Sequence, residues 1–243
     1  MPLNCVKQIT RWLVTRSENK MMTEYFVKII DIEQLTHDVK RFRVEKPAGY
    51  SFKPGQATGV AINTPELKKR RRSFTFTGLN GDPHLEFTIK IYPEHNGLTK
   101  DLDSAVPGTE LVIGSPWGAI TYKGKGVFIA GGAGITPFIS IFRDLQARSE
   151  LSGNLLLFAN KTRADIILKE ELQGMLDGNF INILSDEKNE GYFSGFISEE
   201  FLKSHISDFD VNFYLCGPPP MMRAVTDLLS GLGVDKKAVV MDL

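Results

Sequence analysis

A chain of 243 residues can form one large domain or two small ones. Hydrophobic residues make up 42% and charged residues 24%, and 29 basic residues balance 29 acidic ones; disordered and fibrous classes are excluded, and no global field points to nucleic acid or a membrane surface. The two cysteines, Cys5 and Cys216, exclude a disulfide framework and an internal four-cysteine iron–sulfur cluster, and they fit a reducing, cytoplasmic setting.

The first twenty residues carry Lys7, Arg11, Arg16 and Lys20 against Glu18 alone. Such an acidic-poor start reads as a targeting segment, as an upstream start with Met21 or Met22 as the natural one, or as a short packed helix. The lack of a small-residue cleavage site favours the last two, and residues 1–21 are set apart as an extension. No apolar run approaches the ~20 residues of a membrane helix, so no span is expected.

From Tyr25 to about Tyr122 apolar residues mostly alternate with polar ones. Phe42 and Val44 interleave with Arg41, Arg43 and Glu45, and Leu85, Phe87, Ile89 and Ile91 with Glu86, Thr88, Lys90 and Tyr92, the period of half-buried strands. Turns fall at Lys53-Pro54-Gly55, Asn80-Gly81-Asp82-Pro83 and Val106-Pro107-Gly108, and one helical piece is expected over Thr99–Ser104. Residues 22–122 therefore read as a small antiparallel barrel or sandwich.

After Gly126 the rhythm changes. Val127 to Ala130 is a continuous apolar run followed by the helical stripe Phe138, Ile141, Phe142 and Leu145. Leu155 to Ala159, Phe180 to Leu184 and Phe213 to Cys216 read as further strands, with helices through Leu172, Met175 and Leu176 and through Val225, Leu228 and Leu229. This alternation predicts an α/β domain with a parallel sheet over residues 123–243.

Three motifs carry chemistry. Gly131-Gly132-Ala133-Gly134-Ile135-Thr136-Pro137 lies between a buried strand and an amphipathic helix, where glycines let backbone amides approach a phosphate. In it Thr136 suits the N-cap and Pro137 the first helical position, and the spacing departs from G-x-G-x-x-G. Leu215-Cys216-Gly217-Pro218-Pro219-Pro220-Met221-Met222 again sits at a strand end opening a helix, so the two loops can share one crevice. Arg71-Arg72-Ser73-Phe74-Thr75-Phe76-Thr77 places Arg72 and Phe74 on one strand face, a phosphate clamp beside a flat apolar surface, with the Thr75 hydroxyl nearby.

The order Arg-x-aromatic-Ser/Thr, Gly-Gly-x-Gly-Ile-Thr-Pro, Cys-Gly-Pro-Pro-x-Met resembles the ferredoxin–NADP reductase family from residue 24 to 243, most of all its compact bacterial and cytochrome b5 reductase-like branches. The resemblance implies a β-barrel binding FAD followed by an α/β domain binding NADPH or NADH. It implies Arg72 on the flavin pyrophosphate, Phe74 against the isoalloxazine, Thr75 near flavin N5, and the Ile89-Lys90-Ile91-Tyr92 backbone at the ring edge. Phe74 stands where the family more often has Tyr. Asn96-Gly97-Leu98-Thr99 is similar to the family's pyrophosphate turn, with Asn96 replacing Gly as a residue that tolerates left-handed backbone, and Ser115-Pro116-Trp117-Gly118 resembles its Gly-Pro-Phe-Gly turn.

By the same resemblance Gly132, Gly134, Thr136 and Pro137, with Cys216, Gly217, Pro218 and Met221, hold the nicotinamide nucleotide. Thr136 and Cys216 then flank the nicotinamide, and Thr75 and Cys216 are the catalytic candidates. Lys161 and Arg163 stand where the family reads the adenosine ribose, which favours NADPH over NADH. The chain ends at Met241-Asp242-Leu243 without a terminal aromatic to shield the flavin, and Asp242 is the acid candidate there. No metal is implied. Electrons then go to a separate acceptor, first an acidic carrier such as flavodoxin or ferredoxin docking on Lys68-Lys69-Arg70-Arg71-Arg72. The alternatives are an oxygenase, a haem protein or free flavin, and a non-enzymatic interaction protein using the same basic run.

Overall fold

The computed structural model describes residues 23–118 and 120–241; the N-terminal extension, Asp242 and Leu243 lie outside the described residues. The first six strands are Tyr25–Thr36 (β1), Val39–Glu45 (β2), Ala57–Ile62 (β3), Arg72–Thr75 (β4), His84–Lys90 (β5) and, after the helix Leu98–Asp103 (α1), Glu110–Ile113 (β6). They form one antiparallel sheet in the order β4-β3-β6-β1-β2-β5. A bridge between Phe76 and Phe87 joins its two edges, so the sheet curls into a barrel. Phe76 plugs the interior, stacking on Phe52 at 4.2 Å and meeting Phe87 at 5.2 Å. Each such ring contributes about 1.5–3 kcal/mol by leaving water, which is why the alternating apolar set faces inward.

The second domain carries Gly126–Gly131 (β7), Leu155–Asn160 (β8), Phe180–Leu184 (β9), Phe193–Ser194 (β10), Asn212–Cys216 (β11) and Val239–Met241 (β12), parallel in the order β10-β9-β8-β7-β11-β12. Thr136–Ala147 (α2) and Lys169–Leu176 (α3) cover one face; Glu199–His205 (α4) and Pro219–Gly231 (α5) cover the other. The chain runs outward from β7 to β10 and then returns to β11 on the opposite side of β7. The topological switch therefore falls between β7 and β11, where open α/β sheets leave a crevice at their carboxyl ends.

Tyr214 on β11 pins the join. Its hydroxyl donates to the Gly124 carbonyl at 2.7 Å and accepts from the Lys123 amide at 2.8 Å, while its ring stacks on Phe128 at 4.2 Å. Burial pushes this phenol above its ordinary pKa, so it stays a donor. Val39, Leu35 and Ile120 from the barrel side pack into the core built by Ile135, Phe138 and Ile139, so the two domains share apolar surface.

The sequence alternation in β5 predicts a wet face, and the structure corrects this: Glu86 and Thr88 are each only 4% exposed. Arg143 of α2 covers that face. Its Nη1 donates to Glu86 Oε1 at 2.6 Å and to the Thr77 carbonyl at 2.8 Å, and its Nε and Nη2 grip both oxygens of Glu171 on α3. Burial alone would raise the Glu86 pKa, but the charge and hydrogen bonds of Arg143 outweigh it and hold the carboxyl below its usual range. A depressed carboxylate stabilises the fold above its unfolded pKa of about 4.3, and that contribution is lost as pH falls through the folded value. Between about pH 5 and about pH 3 the melting temperature should therefore fall more steeply for the wild type than for Glu86→Gln. Parallel curves would contradict the ion pair's part in holding the domains together.

Candidate nucleotide and flavin site

At the carboxyl end of β7 the chain passes through a 3-10 turn, Gly132–Ile135, and runs straight into α2. Gly132 has φ +51, a left-handed conformation that glycine adopts freely, and a Cβ there would meet nothing within 4 Å, so this flank of the loop is open. The inner flank is closed. A Cβ at Gly134 would collide with the Cys216 carbonyl, and one at Gly131 would collide with the Met221 sulfur. The glycines thus let the first loop nest against Cys216-Gly217-Pro218, and the two loops the sequence placed in one crevice do lie together. Thr136 is corrected as an N-cap: Ile135 holds that position, no side-chain cap bond forms there, and Thr136 is the first helical residue with Pro137 second. The preceding 3-10 turn supplies the helical start that a capping side chain would otherwise provide.

On the barrel, Arg72 is exposed, and among the described residues it enters none of the ion pairs. Phe74 is half-buried against the barrel core. Thr75 pairs with Ala57, Phe76 donates its amide to the Gln56 carbonyl, and the Gly55 amide donates to Ser140 Oγ at 3.0 Å. Ser140 lies one turn along α2 from Thr136. The strand that pairs with the candidate flavin strand is thus tied, through the Gly55 amide, to the helix that opens at the candidate nicotinamide loop.

Ile89 (3% exposed) and Leu98 (1%) point into the core, so each can offer a ligand only its backbone. Gly97 caps α1 with extended backbone, a Cβ on it would meet nothing within 4 Å, and the amides of Leu98 and Thr99 begin the helix. Asn96 is not left-handed: among the described non-glycine residues positive φ occurs at Ser149, Leu168 and Asp177. Trp117 and Ala57 exchange backbone hydrogen bonds, with Gly118 at φ +131. An unengaged guanidinium, a half-buried aromatic, and an open glycine at a helix start fit the pyrophosphate and ring of FAD.

A cleft of about 520 Å³ runs between the domains, lined by Lys90, Tyr92 and His95 on one side and Lys161 and Asp165 on the other. Tyr92 is half-exposed and stacks on His95 at 5.1 Å. Lys90 Nζ sits 2.7 Å from Asp38 and 3.9 Å from Asp165, so its ammonium already occupies the one cluster of His37, Asp38 and Asp165 with ligand-like spacing among the described residues. Burial would raise the Asp165 pKa, but bonds from the Thr162 hydroxyl and amide and the Lys90 charge hold it low. Lys161 and Arg163 are exposed. The Asp186 amide donates to the Lys161 carbonyl at 2.9 Å, and Glu187 accepts from the Arg163 amide at 2.7 Å.

Sequence reasoning missed Asp165, Asp186 and Phe196. Asp165 was findable as the third residue after Thr162 in a capping box. Phe196, 82% exposed just past β10 at the same sheet end, has no sequence signal separating it from a core aromatic. The basic run is corrected as a bare patch: Lys68 and Arg71 both pair with Glu24, and Arg70 pairs with Asp101.

A barrel joined to a parallel α/β domain, with glycine loops meeting at the switch point, defines a two-domain dinucleotide oxidoreductase. The oxidoreductase FAD-binding domain family matches residues 26–122, and the oxidoreductase NAD-binding domain family matches residues 128–227. The chain belongs to the ferredoxin–NADP reductase-like family of FAD- and NAD-binding oxidoreductases. It is 31% identical over 238 residues to the reductase component of propane 2-monooxygenase from Rhodococcus jostii (strain RHA1), covering 88% of this chain and 62% of that relative's length. It is 30% identical to NADH-cytochrome b5 reductase 1 of Bos taurus, covering 93% and 90%. The fold matches a ferredoxin NADP+ reductase from Neisseria gonorrhoeae with bound FAD and NADP, at a TM-score of 0.76 and 18% identity over 90% of this chain and 97% of that one.

Gly134→Ala tests the nested loops. The added methyl has no room, so the variant should lose about 1–3 kcal/mol of stability and bind NADH more weakly, with its FAD content unchanged. NADH affinity equal to the wild type's would contradict the crevice.

Proposed function

We propose that the protein is an NADH-dependent flavin reductase component: it takes a hydride from NADH in the interdomain crevice and passes electrons to a separate, acidic-faced electron-transfer protein. The observation that carries the reading is the tie between the domains at Gly55 and Ser140: Phe76, next to Thr75, donates its amide to Gln56, and the adjoining Gly55 amide donates to Ser140 Oγ, one turn from Thr136. Bound FAD would supply a ring that accepts two electrons with a hydride and releases them singly.

The protein contributes binding and alignment. Arg72 and the α1 amides of Leu98 and Thr99 would hold the pyrophosphate, while Phe74 would pack against the ring and the Thr75 hydroxyl would offer it a hydrogen bond. The Lys90 and Tyr92 segment lies along the ring edge. On the other side Gly132, Gly134 and Pro137 shape the loop that receives the nucleotide phosphates, with Gly217, Pro218 and Met221 as its far wall. Thr136 and Cys216 would flank the nicotinamide and align it with the flavin, an alignment that replaces a bimolecular encounter.

Lys161 and Arg163 taken alone favour a 2′-phosphate. Glu187, which accepts from the Arg163 amide, and Asp165 in the same turn oppose that preference, because a phosphate carrying close to two negative charges would meet their carboxylates. Glu187 stays charged, held below its usual range chiefly by the Arg163 amide. NADH should therefore give the higher kcat/KM, and Glu187→Gln should narrow that preference by about tenfold in steady-state assays. A wild-type preference for NADPH would sink this part of the reading.

The separate acceptor is supported by the Rhodococcus relative, the reductase component of a monooxygenase. Lys69 remains exposed and outside the ion pairs among the described residues, which makes it the cation of the basic run best placed to meet an acidic partner. Lys69→Glu should raise the apparent KM for an acidic carrier by about tenfold at low salt and leave the KM for NADH unchanged. Equal changes in both constants would rule out docking at this position.

A further inference from the structure

Helix α2 touches both halves of the site. Thr136 begins it at the glycine loop, and Arg143 lies two turns, about 10 Å, further along. From there one guanidinium reaches three separate elements. It donates to the carbonyl of Thr77, two residues beyond Thr75, and to Glu86 on β5, the strand that ends at Lys90. It also holds Glu171 on α3 through two parallel bonds of 2.6 and 2.9 Å, and α3 follows directly on the Thr162–Asp165 turn beside Lys161.

Apolar packing by Leu35, Val39 and Ile120 brings the domains together and the Gly55 amide pins α2 at one point through Ser140 Oγ, but the packing attraction has no direction. The guanidinium fork has one. Its receiving end is itself braced, since Thr77 Oγ1 donates to Glu86 Oε1 at 3.0 Å, Thr88 Oγ1 donates to Thr77 Oγ1 at 3.2 Å, and Arg43 Nε lies 3.6 Å from Glu86. A planar donor gripping a braced acceptor on one side and a carboxylate on the other fixes an angle as well as a distance.

We propose that Arg143 is the positioning residue for hydride transfer, setting the separation between the flavin-bearing strands and the nicotinamide loop; this rests on the function proposed above. Lysine cannot replace it, because a point charge can neutralise Glu86 but cannot hold Thr77, Glu86 and Glu171 in one plane. Transfer rates depend steeply on alignment, and a misplacement of about 1 Å lowers them about 100-fold.

The test uses the FAD-loaded wild type, Arg143→Lys and Glu171→Gln. Anaerobic stopped-flow bleaching at saturating NADH should slow by about 100-fold in Arg143→Lys and less, in the same direction, in Glu171→Gln. FAD bound per chain and the NAD+ dissociation constant from calorimetry should stay within about twofold of wild type, since Arg143 lies away from the residues assigned to either ligand. Hydrogen exchange around Thr77 should quicken in both variants, a readout that does not depend on turnover. If Arg143→Lys melts earlier or loses FAD, yet its FAD-bound fraction bleaches at the wild-type rate, Arg143 is structural only and the proposal is overturned. A wild type that does not bleach with NADH overturns the functional reading along with it.

Discussion

The ion pair between Arg143 and Glu86 is the constraint on which the arrangement of the two domains depends. Both groups are largely removed from water, with side-chain exposures of 16% and 6%. Desolvating two charges cancels most of their attraction, so such a pair adds little net stability, whereas removing one partner leaves a buried charge and costs about 3–5 kcal/mol. The consequence is selectivity among dockings. Any interdomain arrangement that separates these groups takes from Glu86 its strongest donor and leaves it only the Thr77 hydroxyl and the more distant Arg41 and Arg43 of the barrel. Arg143 is correspondingly held protonated, its pKa raised by Glu171 and Glu86 against the opposing effect of burial.

The remaining charges follow from that docking. Once α2 lies on β5, the β8 end comes to face the turn between β1 and β2, and Lys90 meets Asp38 and Asp165 from opposite domains. Lys90 and Asp165 both line the cleft, and Glu187 accepts from the Arg163 amide in the turn that carries Asp165. A cation from the barrel and carboxylates from the α/β domain thus meet along the cleft.

Sequence legibility tracked how local each cause was. Strand β9 lies where the apolar run Phe180–Leu184 placed it, and the glycine loop was readable because strand, loop and helix follow one another in the chain. Strands β10 and β12, of two and three residues, are too short to show a period. Helix α4 buries only Phe201 and Leu202, although Ser198 accepting from the Phe201 amide is a cap that sequence can suggest. Alternation in β5 located the strand but could not tell water from a second domain as the cover for Glu86 and Thr88. The charge run at 68–72 was equally one-dimensional, because its neutralising partners, Glu24 and Asp101, come from distant parts of the barrel. Thr136 was misassigned as a cap because a 3-10 turn leaves no signature distinct from a loop.

The central claim is direct hydride transfer between a nicotinamide at the β7–β11 crevice and a flavin on the barrel. It is tested most directly by anaerobic single-turnover bleaching of the FAD-loaded protein with NADH and with NADH deuterated at the transferring C4 position. The account predicts rapid bleaching by both, slower with the deuterated nucleotide. Failure of the flavin to bleach with either NADH or NADPH would contradict it.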